Sequence, residues 1–270
     1  MSSERPQILL TNDDGIRSPG LWAAAESLSP LAYVTVAAPR EQRSGSGRSM
    51  PISSDGAIHE EEVKVGGRQW KVYAVGGTPA QTIQHGLLEL FQSPPSLVVA
   101  GINYGENVST SITISGTIGA ALEAAAFGVR ALAVSLETEA RYHLTHSEEI
   151  DFSAAAQFTR VFAEILLTRT PIEDVDVLKV DVPADATPDT PWQLCRLSRA
   201  RYYRPVSPQR QRLDEPAIVG YEVAPDLNAL EPGTDAYVLR VARQVAVTPL
   251  SLDLTSRVDF AELEDYLRTS

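Results

Sequence analysis

The sequence predicts an α/β protein with a mostly parallel sheet. Up to about residue 137, short β-branched apolar runs alternate with segments whose apolar residues recur at three- and four-residue spacing. The stretches that follow the apolar runs are polar and glycine-rich, as loops at the carboxyl edge of an open sheet are. With 43% hydrophobic residues in a chain of 270, there is enough apolar surface for a substantial core.

The elements follow in order. "QILLTN" reads as a strand, and "GLWAAAESL" as an amphipathic helix entered through Pro19. "AYVTVAAP" and "QWKVYAV" are the next strands. "TPAQTIQHGLLELF" is a helix that Thr78 can cap and Pro79 can open, which explains "GGTPAQ" without any functional role. "SLVVAGIN" is a strand, "TIGAALEAAAFG" a helix rich in small residues, and "ALAVSL" a strand. Residues 152–168 give one more helix and "VDVLKVDVP" one more strand. After Pro183 the alternation stops in "PADATPDTP", so residues 1–183 are expected to form the core. "CRLSRARYYRPVSPQRQRL" then carries six arginines, "AYVLRVARQVAVTPL" reads as a strand or hairpin, and "DFAELEDYLRT" as a final helix. Residues 184–250 are therefore expected to be an extended, partly β arm and 251–270 a terminal helix.

The formal charge of −12 argues against a nucleic-acid polymer or an anionic membrane as partner. It does not exclude a small anion, because local N–H groups or a metal can reverse the field inside one cleft. Cys195 is the only cysteine, which rules out an intrachain disulfide and a thiolate metal cluster. The first residues lack the apolar run of a signal peptide, and no stretch is apolar enough to span a bilayer. The expectation is a cytoplasmic protein with no membrane partner. His85 falls within a predicted helix, and His59, His143 and His146 sit in polar stretches where exposure is expected. None adjoins a nucleophile motif, and neither a P-loop nor a G-x-G-x-x-G fingerprint is present.

Three strand-end loops carry the candidate chemistry. In "QILLTNDDGI", Asp13 and Asp14 can be read two ways: as turn and cap residues, or as ligands of a hard cation. With Ser44 from "PREQRSGSGRSM" and Asn103 from "GINYGENV", the donor set is all oxygen and suits Mg²⁺ or Mn²⁺ better than zinc. In "SGTIGAALEAAA", Ser115, Gly116 and Thr117 precede a helix whose first N–H groups would face an anion. A plain N-cap by Ser115 or Thr117, with Gly119 chosen for close packing, is the competing reading.

Taken in order, "ILLTNDDGI" with "SPGL", "VTVAAPREQRSGSGRS", "GGTPAQT", "LVVAGINYGENV", "SGTIGAALEA" and "ALAVSL" resemble the SurE family of survival-protein nucleotidases and acid phosphatases. They span roughly residues 7–137, with weaker echoes in "LKVDVP" and "GTDAYVLRVARQVAVTPLSLDLT". The resemblance implies a Rossmann-like three-layer core with a C-terminal extension used in oligomerisation, and a divalent-metal-dependent phosphomonoesterase acting on nucleoside monophosphates. Carried over to this chain, it implies Asp13, Asp14, Ser44 and Asn103 as ligands of one Mg²⁺ or Mn²⁺ per subunit. Asn12, Ser115, Gly116 and Thr117 would meet the phosphate. Arg40 stands where the family usually has aspartate, Arg48 where it has a smaller polar residue, and "STSITI" replaces the polar stretch common before "SGT". Ile114, in particular, cannot hydrogen-bond a leaving group.

The expected reaction is hydrolysis by a metal-activated water, with Asp13 and Asp14 as the catalytic carboxylates; a water nucleophile is favoured because both are committed to the metal. The alternative is a non-catalytic nucleotide- or phosphate-binding module. The arginine- and tyrosine-rich arm is expected to build a homodimer or homotetramer rather than to bind nucleic acid.

Overall fold

The computed structural model describes residues 5–223 and 226–268. In chain order the elements are β1 (Gln7–Thr11), α1 (Pro19–Leu28), β2 (Tyr33–Pro39), β3 (Ile58–Val65), β4 (Arg68–Val75), α2 (Pro79–His85), β5 (Leu97–Tyr104), α3 (Gly116–Ala126), β6 (Ala131–Leu136), α4 (Ser153–Thr168) and β7 (Val177–Val182). There follow β8 (Trp192–Leu194), β9 (Tyr203–Val206), β10 (Gly220–Val223), α5 (Asp235–Arg240), β11 (Val245–Leu250) and α6 (Phe260–Arg268).

Nine strands form one sheet in the order β3-β4-β2-β1-β5-β6-β7-β11-β8. The run from β4 to β7 is parallel, while β3 and β11 pair antiparallel with β4 and β7. Helices cover both faces, giving three layers, because successive strand residues point to opposite sides. Ile8 and Leu10 pack with Leu21, Trp22, Phe158 and Phe162 from α1 and α4, whereas Leu9 packs with Ile83 and Ile118 from α2 and α3. The chain leaves β1 toward β2 and later returns on its other side as β5, so the topological switch point lies between β1 and β5. A ligand cleft belongs beyond the carboxyl ends of those two strands.

Two elements differ from the sequence reading. β3 was not predicted: "IHEEEVKV" is an edge strand whose Glu60 and Glu62 face water, and its register is set by the Gly66-Gly67 turn into β4. "DAYVLR" is a helix rather than a strand, anchored by Asp235, whose buried carboxylate accepts the backbone N–H groups of Ala236, Ser198 and Ser109. Within residues 184–250, β8 and β11 lie in the core sheet, and the β9–β10 hairpin is the part outside it. Helix α6 buries none of its side chains. No helix among the described residues is long and apolar enough to cross a membrane.

Candidate functional site

The turn after β1 is built by Asn12. Its Nδ2 donates to the Gly15 carbonyl and its Oδ1 accepts the Gly15 N–H, both at 3.1 Å, and Gly15 adopts a φ of +95° that favours glycine. The Asn12 side chain thus holds the turn, and the residue does not line the cavity described below. Asp13 faces that cavity and accepts the Thr117 hydroxyl from the first turn of α3. Asp14 turns the other way, accepting Gln42 Nε2 at 2.9 Å and the Tyr104 N–H at 3.2 Å.

Both carboxylates are almost wholly buried, at 4% and 1% exposure. Burial holds both above the ordinary aspartate range, and for Asp14 the adjacent Asp13 charge pushes in the same direction. Opposite them, the register of β5 against β6 shifts between Ala100 and Asn103. There Asn103 donates through Nδ2 to the carbonyls of Tyr104 and Gly105, at 3.1 and 2.7 Å, which leaves its amide oxygen as an acceptor. Ser44, exposed in the loop after β2, lines the same cavity.

The residues present fit a hard divalent cation. The buried Asp13 carboxylate, the oriented Asn103 amide oxygen and the Ser44 hydroxyl reach one cavity with buried Asp14 next to Asp13 in sequence, no cationic side chain among the described residues pairs with either aspartate, and such an oxygen set leaves places for water. No cluster of three or more His, Cys, Asp or Glu side chains able to hold a metal occurs among the described residues, and a cation here would draw on neutral oxygens as well. The site adjoins the start of α3. Ser115 is the N-cap, its hydroxyl accepting the Ile118 N–H at 3.2 Å, and the N–H groups of Gly116 and Thr117 lean toward Asp13. The cap reading of Ser115 therefore holds, and it coexists with an anion-facing helix end.

Asp13, Ser44, Asn103 and Ser115 share a cavity of about 620 Å³. Its far wall comes from His143, Tyr203 and Tyr221, the tyrosines being carried by the β9–β10 hairpin. His143 corrects the sequence expectation of exposure: it is buried, with the ring between the Thr138 carbonyl and the Tyr221 hydroxyl. His146 is exposed but bonds the Asp14 carbonyl through Nε2 at 2.8 Å. Glu106, in the loop just past β5, also lines the cavity, with one carboxylate oxygen bonded by Tyr202 and the other without a hydrogen-bond partner. Position was the only sequence signal for Glu106, and nothing local pointed to Tyr203 or Tyr221. Of the residues that depart from the family pattern, Arg40 pairs with Asp55 and Arg48 with Glu123, both off the cavity wall, while Ile114 lies on it.

The fold is that of a doubly wound α/β protein, with a polar cavity at the switch point of its sheet. The chain belongs to the SurE family, whose model, described as "Survival protein SurE", matches residues 8–204. It is 44% identical over 262 residues to the 5′-nucleotidase SurE of Thermococcus gammatolerans, covering 97% of this chain and 96% of that one. The 5′-nucleotidase SurE of Archaeoglobus fulgidus is also 44% identical, over 96% of this chain and 97% of its own. Among solved structures, the SurE protein of Aquifex aeolicus superposes with a TM-score of 0.73 at 28% identity, over 98% of this chain and all of that one. Membership of this nucleotidase family implies a divalent metal.

Proposed function

We propose that the chain is a divalent-metal-dependent phosphomonoesterase that hydrolyses nucleoside 5′-monophosphates to nucleoside and phosphate. The observation that carries this reading is the meeting of the buried Asp13 carboxylate, with buried Asp14 directly behind it in sequence, and Ser115 at the N-terminus of α3 on one cavity. The 5′-nucleotidase names of relatives aligned over nearly the whole chain support it.

In this reading Asp13, Asp14, Ser44 and Asn103 would hold one Mg²⁺ or Mn²⁺ per subunit. Bound there, the cation would supply positive charge to a phosphate oxygen and acidity to a water. Ser115, Gly116 and Thr117 orient the phosphoryl group through the helix N-terminus, and Asn12 keeps the Asp13 turn rigid. Thr117 fixes the Asp13 carboxylate by its hydroxyl, and Gln42 does the same for Asp14. Ile114 presents no donor to the leaving alkoxide, so its proton is drawn from water.

Release of inorganic phosphate from a panel of nucleoside monophosphates, with Mg²⁺ or Mn²⁺ and then with EDTA, tests the reading. Cation-dependent release that EDTA stops and added metal restores supports it. Nucleotide binding without phosphate release under either cation replaces it with the non-catalytic binding module. The same reading has the chain working as a homodimer or homotetramer built through the arm of residues 184–250, of which the β9–β10 hairpin stands outside the core sheet. Light scattering coupled to size exclusion decides that part, since a monomer at micromolar concentration would overturn it.

A further inference from the structure

The far wall of the cavity has a geometry that phosphate chemistry does not use. The Thr138 carbonyl, 3.3 Å from His143 Nε2, can only accept, so Nε2 carries the proton and Nδ1 is the acceptor. Tyr221 then donates its hydroxyl to Nδ1 at 2.9 Å. Burial holds the imidazole below its ordinary range, which keeps this tautomer neutral.

The two rings lie 18° from parallel with centroids 6.1 Å apart. Because the bond runs from the tip of the phenol to the edge of the imidazole, the rings sit side by side rather than face to face. They make one broad, flat, uncharged surface. Tyr203 stands across it, at 85° to His143 and 80° to Tyr221, and is fixed by donating its hydroxyl to the Glu106 carbonyl at 2.8 Å. The platform is tied to the carboxylates by a single amide: Gln42 Nε2 donates to Asp14 Oδ1 at 2.9 Å and to the His143 carbonyl at 2.8 Å.

We infer that His143 and Tyr221, edged by Tyr203, seat the nucleobase, so that the chain selects phosphate esters carrying a base over those that lack one. The inference rests on the nucleotidase reading above. A cavity of about 620 Å³ with Asp13 on one wall and these rings on another has room for phosphate, sugar and base together. A flat π-surface recognises a base by stacking and tolerates any base, with the larger face of a purine gaining most. The seat is formed by the chain's own hairpin, through the pairing of Tyr203 with Val223 and of Pro205 with Tyr221.

The experiment measures calorimetric affinities for adenosine 5′-monophosphate and ribose 5-phosphate in EDTA, where turnover is off. It compares the intact protein with Tyr221→Ala and Tyr221→Phe, and repeats the comparison as a ratio of kcat/KM in Mg²⁺. The intact protein should bind the nucleotide at least about tenfold more tightly than the sugar phosphate. Tyr221→Ala should collapse that ratio to within about threefold, whereas Tyr221→Phe, which keeps the ring, should preserve most of it. Tyr221 is 44% exposed, so its substitution leaves the core intact. An intact-protein ratio near one, or equal loss for both ligands in Tyr221→Ala, overturns the inference. Absence of phosphate release in Mg²⁺ would sink the nucleotidase reading while the affinity ratio still reports on the platform.

Discussion

Asp13 and Gly116 are packed so closely that a methyl group on Gly116 would lie 2.7 Å from the Asp13 Cβ and 2.9 Å from its Oδ2. The approach brings the end of β1 against the start of α3, and it is what aims the helix N-terminus at the carboxylate. The Asp13 Cβ is fixed to the backbone and cannot swing away, so the two elements themselves would have to separate.

Gly116→Ala should therefore reduce phosphatase activity by about a hundredfold, the scale expected when a catalytic group is misplaced by an ångström. The change in far-UV circular dichroism should be negligible, because alanine is a good helix former and Gly116 is the first residue of α3. Activity within threefold of the unmutated protein would show that the contact does not position the site.

Asp14→Asn separates function from stability. Burial and the neighbouring Asp13 charge disfavour the ionised Asp14 carboxylate when no cation is present. Asparagine keeps the shape; Gln42 and Tyr104 donate to different oxygens of Asp14, so its one amide oxygen retains only one of these bonds, a loss that removal of the buried charge offsets. In EDTA the variant should melt at or above the temperature of the intact protein, while losing most activity and the melting shift that Mg²⁺ produces. A variant that melts lower in EDTA and still shows the metal shift would place the cation elsewhere.

Lys179, Asp181 and Asp235 form a wholly buried ion cluster, with Lys179 Nζ against Asp181 and 3.3 Å from Asp235 Oδ2. The two carboxylates also hold the loop that walls the cavity, accepting the N–H groups of Asn107 at 2.7 Å and Ser109 at 2.9 Å. Lys179→Met leaves two buried acids facing each other. It should cost about 3–5 kcal/mol in urea denaturation. A loss under 1 kcal/mol would mean that one of the acids is already neutral.

The central strands were legible because each is an apolar run with a polar, glycine-rich end, and the same rule located Asp13, Ser44, Asn103 and Ser115. What escaped was decided by tertiary pairing. The glutamates of β3 conceal an edge strand that only its partner β4 reveals. Helix α5 depends on Asp235 finding Lys179, 56 positions earlier in sequence, and "LKVDV" shows its buried pair only if Lys179 and Asp181 are placed on one strand face. His143 looked exposed because the two tyrosines that help bury it arrive on a hairpin about 60 to 80 residues downstream.

Glu106 sets a pH dependence whose sign can be worked out. Burial, the largest influence, pushes its carboxyl up to about 7 from an ordinary 4.5, against the hydrogen bond from Tyr202 and the Arg240 charge, with Glu137 adding a further upward push. Between those two values the folded chain holds a proton that the unfolded chain has released. Stability on this group's account is therefore fully present below about pH 4.5 and declines as pH rises through about 7. Glu106→Gln cannot titrate, so the stability of the intact protein minus that of the variant should fall between pH 5 and pH 8, by about 3 kcal/mol at most. His143 titrates in the opposite sense, since burial lowers its pKa, but it is common to both proteins and drops out of the difference. Urea midpoints and slopes collected for the pair at half-unit steps measure that difference directly. A difference that stays flat, or that rises with pH, would mean Glu106 is ionised throughout, its charge held by Arg240, whose Nη1 lies 3.8 Å from Oε1.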